Sequence, residues 1–393
     1  MAPTPFFGDY GCHVRIVEET TALQQHGVRS TLVTYAFGRD LPGLEIRRVP
    51  RLPGQRRVDP GSSLHKLSMD ALLAERALSV AREVRPGLIH GHLHEGALIA
   101  WALSRVRRVP MVFDFQGSLT GEMVDHGFLS PGTAPFSLVR RIESWVVEHA
   151  DAIVTSTHHG ADVLVREFHC PGTRITVVPD GVNPGRFVPS WEEADPAARS
   201  STIARLRGEL GIPEDRPVVV YLGLLAEYQG ITHLLHAAAK MLDDGEDVHF
   251  LIMGFPGEER YRSLAARLGI ADRVILTGAI RYEQAGDYLA LGTVAVSPKL
   301  SSTEGNGKLL NYMAMGLPTV TFDTPVNREI LGPLGIYAPF GDWSALATEL
   351  CQTLRHPREA HERGRALRAR AIEAYTWEQA VEPLLAVYTQ LLR

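Results

Sequence analysis

The sequence predicts an α/β protein built from two doubly wound, Rossmann-like domains. Three observations predict it. Apolar strand-like runs alternate with amphipathic stretches along the whole chain. A polar segment splits that alternation into two series. The 393 residues exceed one typical domain and suit two.

In the first series, residues 30–35, 87–92, 111–115, 151–156 and 175–179 read as strands. Residues 13–26 and 66–84 read as helices. In the second, 217–223, 248–254, 273–278, 294–298 and 319–322 are strand-like, and 230–243, 257–269, 283–291 and 307–315 are helical. Strands separated by helices imply parallel βαβ units. The polar stretch FVPSWEEADPAARSST places a linker within 185–215. The predicted domains are therefore 1–187 and 205–375. The amphipathic segment 376–393 closes the second domain or crosses back onto the first. A doubly wound domain opens with a strand and then a glycine turn. Here the turn FFGDYG begins six residues in, and the preceding stretch carries two prolines. A short, truncated first strand is expected.

Hydrophobic residues make up 45% of the chain and charged residues 22%, an ordinary globular balance. The net charge of -5 argues against a general nucleic-acid binder. Cys12, Cys170 and Cys351 form no CxxC pair, so neither a disulfide framework nor a cysteine zinc site is expected. No run of 18 apolar residues is present. A cytoplasmic protein is the expectation, with peripheral contact at an anionic membrane face as the sharper reading of two basic groups. These are Arg47, Arg48, Arg51, Arg56 and Arg57, and the pair Arg140 and Arg141. The plainer reading of both is a solvated face.

The chemistry concentrates in STEGNGKLLNYMAMGLPTV, residues 302–320. Gly305 and Gly307 let backbone approach a ligand closely, and a helix start offers free N–H groups to an anion. Lys308 stands in the first helical turn, where the dipole disfavours a cation unless an anion is near. Asn311 follows one turn later. Glu304 precedes the helix. His90, His92 and His94 alternate and would face one side of a strand, a pattern that also suits a metal. Asp114, Glu122 and Asp125 could supply a carboxylate pair.

The 302–320 string resembles the signature helix of the retaining family-4 glycosyltransferases of the GT-B fold. HVRIVEETTALQQHGVRSTLVTY, GLIHGHLHEGALIA, DAIVTSTHHGADVL, ITVVPDGVNPGRF, VVVYLGLLAEYQGITHLLHAA, FLIMGFPGEERY, DTPVNREILG and YTWEQAVEPLLAVY resemble further pieces of that family, in order. The resemblance implies a GT-B enzyme that moves a sugar from a nucleotide-diphosphate sugar, UDP before GDP. The acceptor would be a glycan, a lipid or a small molecule. Configuration would be retained, with no bound metal and no cofactor beyond the co-substrate. Asn311 falls where the family holds the ribose hydroxyls. Glu304 resembles the glutamate that contacts the donor sugar, although the spacing to Asn311 is one residue short. His94 resembles a histidine that touches the sugar near the reacting carbon, beside Glu95. Gly11 would lie against the diphosphate. Gly223, Lys299, Gly305, Asn306 and Gly307 join Gly11 and Asn311 as nucleotide-sugar contacts. His94, Glu304 and Lys308 are the candidate catalytic residues. Glu329 resembles a position near the donor, and loop 117–127 would position the acceptor.

Two departures stand out. Leu224 and Gln229 occupy positions where the family places an arginine and a lysine on the diphosphate. Lys299 and Lys308 are the candidates to replace them, because stabilising the leaving charge is a large catalytic contribution. Gln116 stands where many members carry a histidine, and it cannot titrate. Two alternatives stay open: an inactive nucleotide-sugar binder, and a GT-B epimerase or hydrolase.

Overall fold

The computed structural model describes residues 1–8, 11–51, 64–125, 127–301 and 304–393. Arg56 and Arg57, together with Ser302 and Thr303 of the signature string, lie outside the described residues. The strands are β1 (Thr31–Thr34), β2 (Glu45–Arg48), β3 (Ile89–His92), β4 (Met111–Phe115), β5 (Ala152–Thr155), β6 (Ile175–Val177), β7 (Val218–Leu222), β8 (His249–Met253), β9 (Val274–Gly278), β10 (Val294–Ser297), β11 (Thr319–Phe322) and β12 (Ile336–Ala338). Every pairing among them is parallel.

The first half holds a four-stranded sheet, β3-β4-β5-β6, and the pair β1-β2. The second holds a six-stranded sheet, β12-β11-β10-β7-β8-β9. β4 and β8 are buried at all five positions, as strands covered on both faces must be. The order of the larger sheet reverses at β7, whose neighbours are β8 and β10. In such sheets ligands bind outside the carboxyl ends of the strands at the reversal.

Before Gly8, one bridge pairs Ala2 with Thr34. Ala2 N donates to Val33 O, and Met1 O accepts from His92 N. This stub joins β1 to β3 and is as short as the two prolines lead one to expect.

The structure departs from the sequence reading in several places, β12 among them. The stretch read as a linker contains a helix, Pro196–Leu210, capped by Asp195, whose carboxylate accepts from Ala197 N and Ala198 N. Leu206 of this helix is buried with Val218, Val220 and Leu289. β2 was unforeseen because its sequence, EIRR, carries little apolar signal. Its arginines are engaged within the fold. Arg47 pairs with Glu45 and Glu83, and Arg48 donates to the carbonyls of Phe37 and Arg39. Arg140 likewise lies on Glu167 and over the Phe168 ring, while Arg141 is exposed.

Helix Trp377–Leu391 crosses back to the first half. Trp377, Val381 and Leu384 share a core with Ala22, Leu23, Val112, Val154 and Val178. The preceding helix, Pro357–Ala374, carries Arg368, which is 6% exposed. Its guanidinium donates to Phe187 O at 2.6 Å, Ala314 O at 2.7 Å and Pro184 O at 3.4 Å, and pairs with Glu192 at 2.9 Å. One planar fork thus ties the end of the first half to the signature helix. Arg368→Met strands three carbonyls and is expected to cost about 3 kcal/mol in urea unfolding. Arg368→Lys, with a single ammonium, should recover less than half of that loss. A loss of unfolding free energy below about 0.5 kcal/mol for the methionine variant would contradict this account.

Candidate functional site

The carboxyl ends of both sheets open on one cavity of about 370 Å³. From the first half it is lined by residues following the stub, β1, β3, β4, β5 and β6. From the second half it is lined by residues following β7, β8, β9 and β10. The two walls approach closely. A Cβ on Gly305 would lie 2.9 Å from Ser156 Oγ, and one on Gly307 would lie 3.3 Å from Asp180 Oδ2. Glycine at these positions is what lets the second wall sit against the first.

On the first wall, β3 ends in His92, and Leu93 turns into the left-handed region at φ 59° before helix Leu93–Arg107. That turn carries His94 and Glu95 to the cavity. His94 is buried between the edges of Phe113 and Phe115, with Nε2 3.3 Å from Glu143 Oε1. Glu143 also accepts from Leu119 N at 2.8 Å and from the Thr120 hydroxyl at 2.6 Å. Burial works to raise its carboxyl pKa. The His94 contact and the Thr120 and Ser118 hydroxyls outweigh burial and hold it below the ordinary range. Glu143 thereby fixes both His94 and the short helix Leu119–Asp125. Glu95 pairs with Lys66 at 2.5 Å.

The three alternating histidines do not act together. His90 and His92 stack at 4.4 Å, whereas His94 has left the strand. His90 Nδ1 meets the Tyr388 hydroxyl at 2.6 Å, and His92 Nδ1 meets Asp114 at 2.8 Å. Their ring nitrogens and a Glu19 oxygen lie within 4.8 Å of one another.

Asp114 is no member of an acid/base pair. It is fully buried and receives Arg15 through Nη2 at 3.1 Å and Nε at 3.2 Å, with His92 and Gln116 as further donors. Burial opposes its charge, but Arg15 and then His92 hold the carboxyl far below the usual carboxylate range. Arg15 Nη1 continues to Asp180 at 2.7 Å and Val178 O at 3.2 Å. Arg15 and Asp180 were missed in the sequence. The criterion that singled out Lys308, a cation in the first turns of a helix, also applies to Arg15 on helix Gly11–Gln25. Gln116 is accounted for as a donor to Asp114.

On the second wall, Gly230 has φ 77°, and a Cβ there would collide with Pro298 O. The glycine of the YQG loop therefore lets that loop lie on the strand end that carries Lys299. Lys299 is 4% exposed. Its ammonium contacts Glu304 at 2.7 Å and donates to Gly305 O at 2.6 Å, so its charge is already compensated. Lys308 has neutral partners: Gln229 Oε1 at 2.5 Å, Tyr221 OH at 3.2 Å, and the Tyr221 ring at 4.6 Å. Burial, then Lys299, pushes its pKa well below the ordinary lysine value, against a smaller opposing pull from Glu304. Gly11, Gly223, Gly305, Gly307 and Asn311 all line the cavity. Asn306 lines the cavity as well, and its side chain donates to Asn327 at 2.8 Å and Ser297 at 3.1 Å. Glu329 accepts from His158 N at 2.7 Å and His159 N at 3.2 Å, capping helix His158–Phe168 of the other half.

Comparison with known proteins agrees with this geometry. Residues 10–181 match the family described as glycosyl transferase 4-like domain, and residues 216–356 match glycosyl transferases group 1. The chain is 28% identical to a D-inositol 3-phosphate glycosyltransferase of Geodermatophilus obscurus, over 98% of this chain and 86% of that protein. It is 26% identical to a 2-deoxystreptamine glucosyltransferase of Streptomyces kanamyceticus, over 96% and 98%. Two solved structures share the fold. Sucrose-phosphate synthase from Thermosynechococcus elongatus has a TM-score of 0.83 at 20% identity, covering 100% of this chain and 97% of that one. Anabaena HepE, in complex with UDP and glucose, has a TM-score of 0.76 at 16% identity, covering 97% and 96%. Fold and cleft thus define a two-domain GT-B glycosyltransferase. The chain belongs to the group 1, family-4 glycosyltransferases.

A buried ammonium with neutral partners is unfavourable for folding. Because its folded pKa is lowered, the unfolded chain binds a proton that the folded chain resists. Stability gained with rising pH therefore includes a contribution from Lys308 in the window below about 10.5. Lys308→Met should remove that contribution and raise stability at neutral pH by about 1 kcal/mol in denaturant unfolding. A destabilised methionine variant would show instead that the ammonium is a structural asset.

Proposed function

We propose that the protein transfers a sugar, with retained configuration, from a nucleoside-diphosphate sugar to a hydroxyl of a sugar-like acceptor. Lys308 carries the reading. Among the described residues of the cavity it is a cation with neutral partners, buried beside the glycine-lined approach to helix Lys308–Ala314. Such a site is complete only when an anion arrives. The diphosphate is that anion, with Lys308 and the backbone at Gly305 and Gly307 beside it. Gly11 and Gly223 leave room on opposite walls. Asn311 receives the ribose hydroxyls, for which an amide can both donate and accept. Lys299 fixes Glu304 toward the donor sugar. His94, oriented by Glu143, faces the sugar from the first wall.

In the transfer, the bond between the anomeric carbon and the phosphate oxygen breaks. A bond from the acceptor oxygen to that carbon forms on the same face. The acceptor proton passes to the departing phosphate oxygen. Lys308 offsets the charge that develops there. UDP is the first choice of nucleotide and GDP the second; the UDP and glucose held by HepE support that order. The inositol phosphate and deoxystreptamine named for the two relatives support a small ring acceptor rather than a lipid.

A thermal-shift panel of UDP, GDP and ADP tests donor binding. A nucleotide at a hundred times its dissociation constant should add about 2.7 kcal/mol. Lys308→Met should weaken UDP by roughly tenfold or more, the size of a lost charge-assisted contact. The diphosphate raises the lowered lysine pKa, so UDP binding should take up protons and weaken as pH rises toward the ordinary lysine value of about 10.5. Calorimetry in two buffers reads the uptake. If no nucleotide shifts the melting temperature, the proposal fails. The anomeric coupling of an isolated product decides retention.

A further inference from the structure

The charges lining the cavity are compensated pair by pair, with one exception on the first wall. Lys66 holds Glu95 at 2.5 Å, and Lys299 holds Glu304 at 2.7 Å. Arg15 is bound to Asp114 and Asp180. Glu122 also lines the cavity, and among the described residues no side chain donates a hydrogen bond to it or forms an ion pair with it. It stands on helix Leu119–Asp125, which Glu143 anchors through Leu119 N and the Thr120 hydroxyl. The same Glu143 holds His94, so Glu122 is set at a fixed place relative to the residue assigned to the reacting sugar.

The surroundings of Glu122 are acidic. Burial, then Glu304 and Glu95, drives its carboxyl well above the usual carboxylate range, and Lys299 and Lys66 oppose this less strongly. Both lysines are already committed to those same glutamates. An incoming phosphate beside Glu122 would meet the paired Glu95 on the same wall and the paired Glu304 on the facing wall, while the uncommitted Lys308 stands with the donor contacts. An incoming ammonium would supply the charge the group lacks.

We infer that Glu122 is a specificity-determining residue that selects an acceptor carrying a protonated amine, such as an aminocyclitol or amino sugar, over neutral and phosphorylated rings. The inference deepens the glycosyl-transfer reading and rests on it. It fixes the chemical class of acceptor by charge: a polyhydroxyl ring supplies the attacking oxygen, and a neighbouring ammonium sits on the Glu122 carboxylate.

The test uses the full chain, with 2-deoxystreptamine and glucosamine as probes. Their neutral counterparts are 2-deoxy-scyllo-inositol and glucose, and inositol 1-phosphate is the anionic probe. Affinities are measured by calorimetry with and without UDP, for wild type, Glu122→Gln and Glu122→Asp. The glutamine keeps the size of the side chain and removes its charge. Wild type should bind each amine at least about tenfold more tightly than its neutral counterpart, the scale of one charge-assisted contact. Glu122→Gln should erase that preference while leaving the neutral probes within about threefold and UDP affinity unchanged. Glu122→Asp should keep the order of preference. Three results overturn the inference: tighter binding of the phosphorylated ring, an equal loss for amine and neutral probes in Glu122→Gln, or no amine preference in wild type. If UDP fails to bind wild type, the glycosyl-transfer reading fails on its own account, whatever the amines do.

Discussion

The Arg15 guanidinium, with Asp114 beside it, is the contact on which the geometry of the cleft depends. Arg15 comes from the first helix, Asp114 from near the carboxyl end of β4, and Asp180 from the loop after β6. All three elements end at the cavity. Removing these charges from water is costly, and the arrangement is tolerable because each carboxylate meets a donor and Asp114 gathers three. Asp180 then reaches the glycines of the opposite wall. A change at Arg15 would therefore be felt in the first half's sheet and across the gap.

Around that centre the cleft is organised by charge matching. Lys66 with Glu95 and Lys299 with Glu304 are internal pairs, and each uses its charge to fix a loop rather than to hold a ligand. Lys299, one of the two lysines expected to replace the arginine and lysine usual in the family, is thus already paired within the protein. Lys308 lies beside Gln229, one of the two substituted positions, and takes a hydrogen bond to it in place of the missing like charge. Substitution in the YQG loop and the placement of Lys308 read as one coupled change. An ammonium at the usual lysine position would stand against Lys308 and drive its pKa down further.

Most of the parallel architecture was legible in the sequence because buried parallel strands are continuous apolar runs. β7, β8 and β10 are of that kind. β2 and β12 were not legible, being short and half-exposed. The helix Pro196–Leu210 was hidden because its composition is polar and its buried contacts come from few residues, Leu206 and Arg199 among them. In the site, glycines and the misplaced cation Lys308 could be read locally, since backbone approach and helix dipoles act over one turn. The partners could not. Whether Lys299 is free or tied to Glu304, whether Asn306 faces the ligand or Asn327, and whether Glu122 has a counterion are facts of tertiary distance. The His90, His92 and His94 pattern misled for a related reason: Leu93 leaves the strand, and the period of two ends with it.

Glu329 belongs to the second half, yet it closes the amino end of a helix in the first. Spreading the halves apart would leave the amides of His158 and His159 to water, at a cost of about 1 kcal/mol, while Thr157 would still cap Gly160 N. Widening of the gap is thereby coupled to fraying at His158 and His159. Opening the gap would thus carry the cost of freeing those two amides, which favours the arrangement seen here.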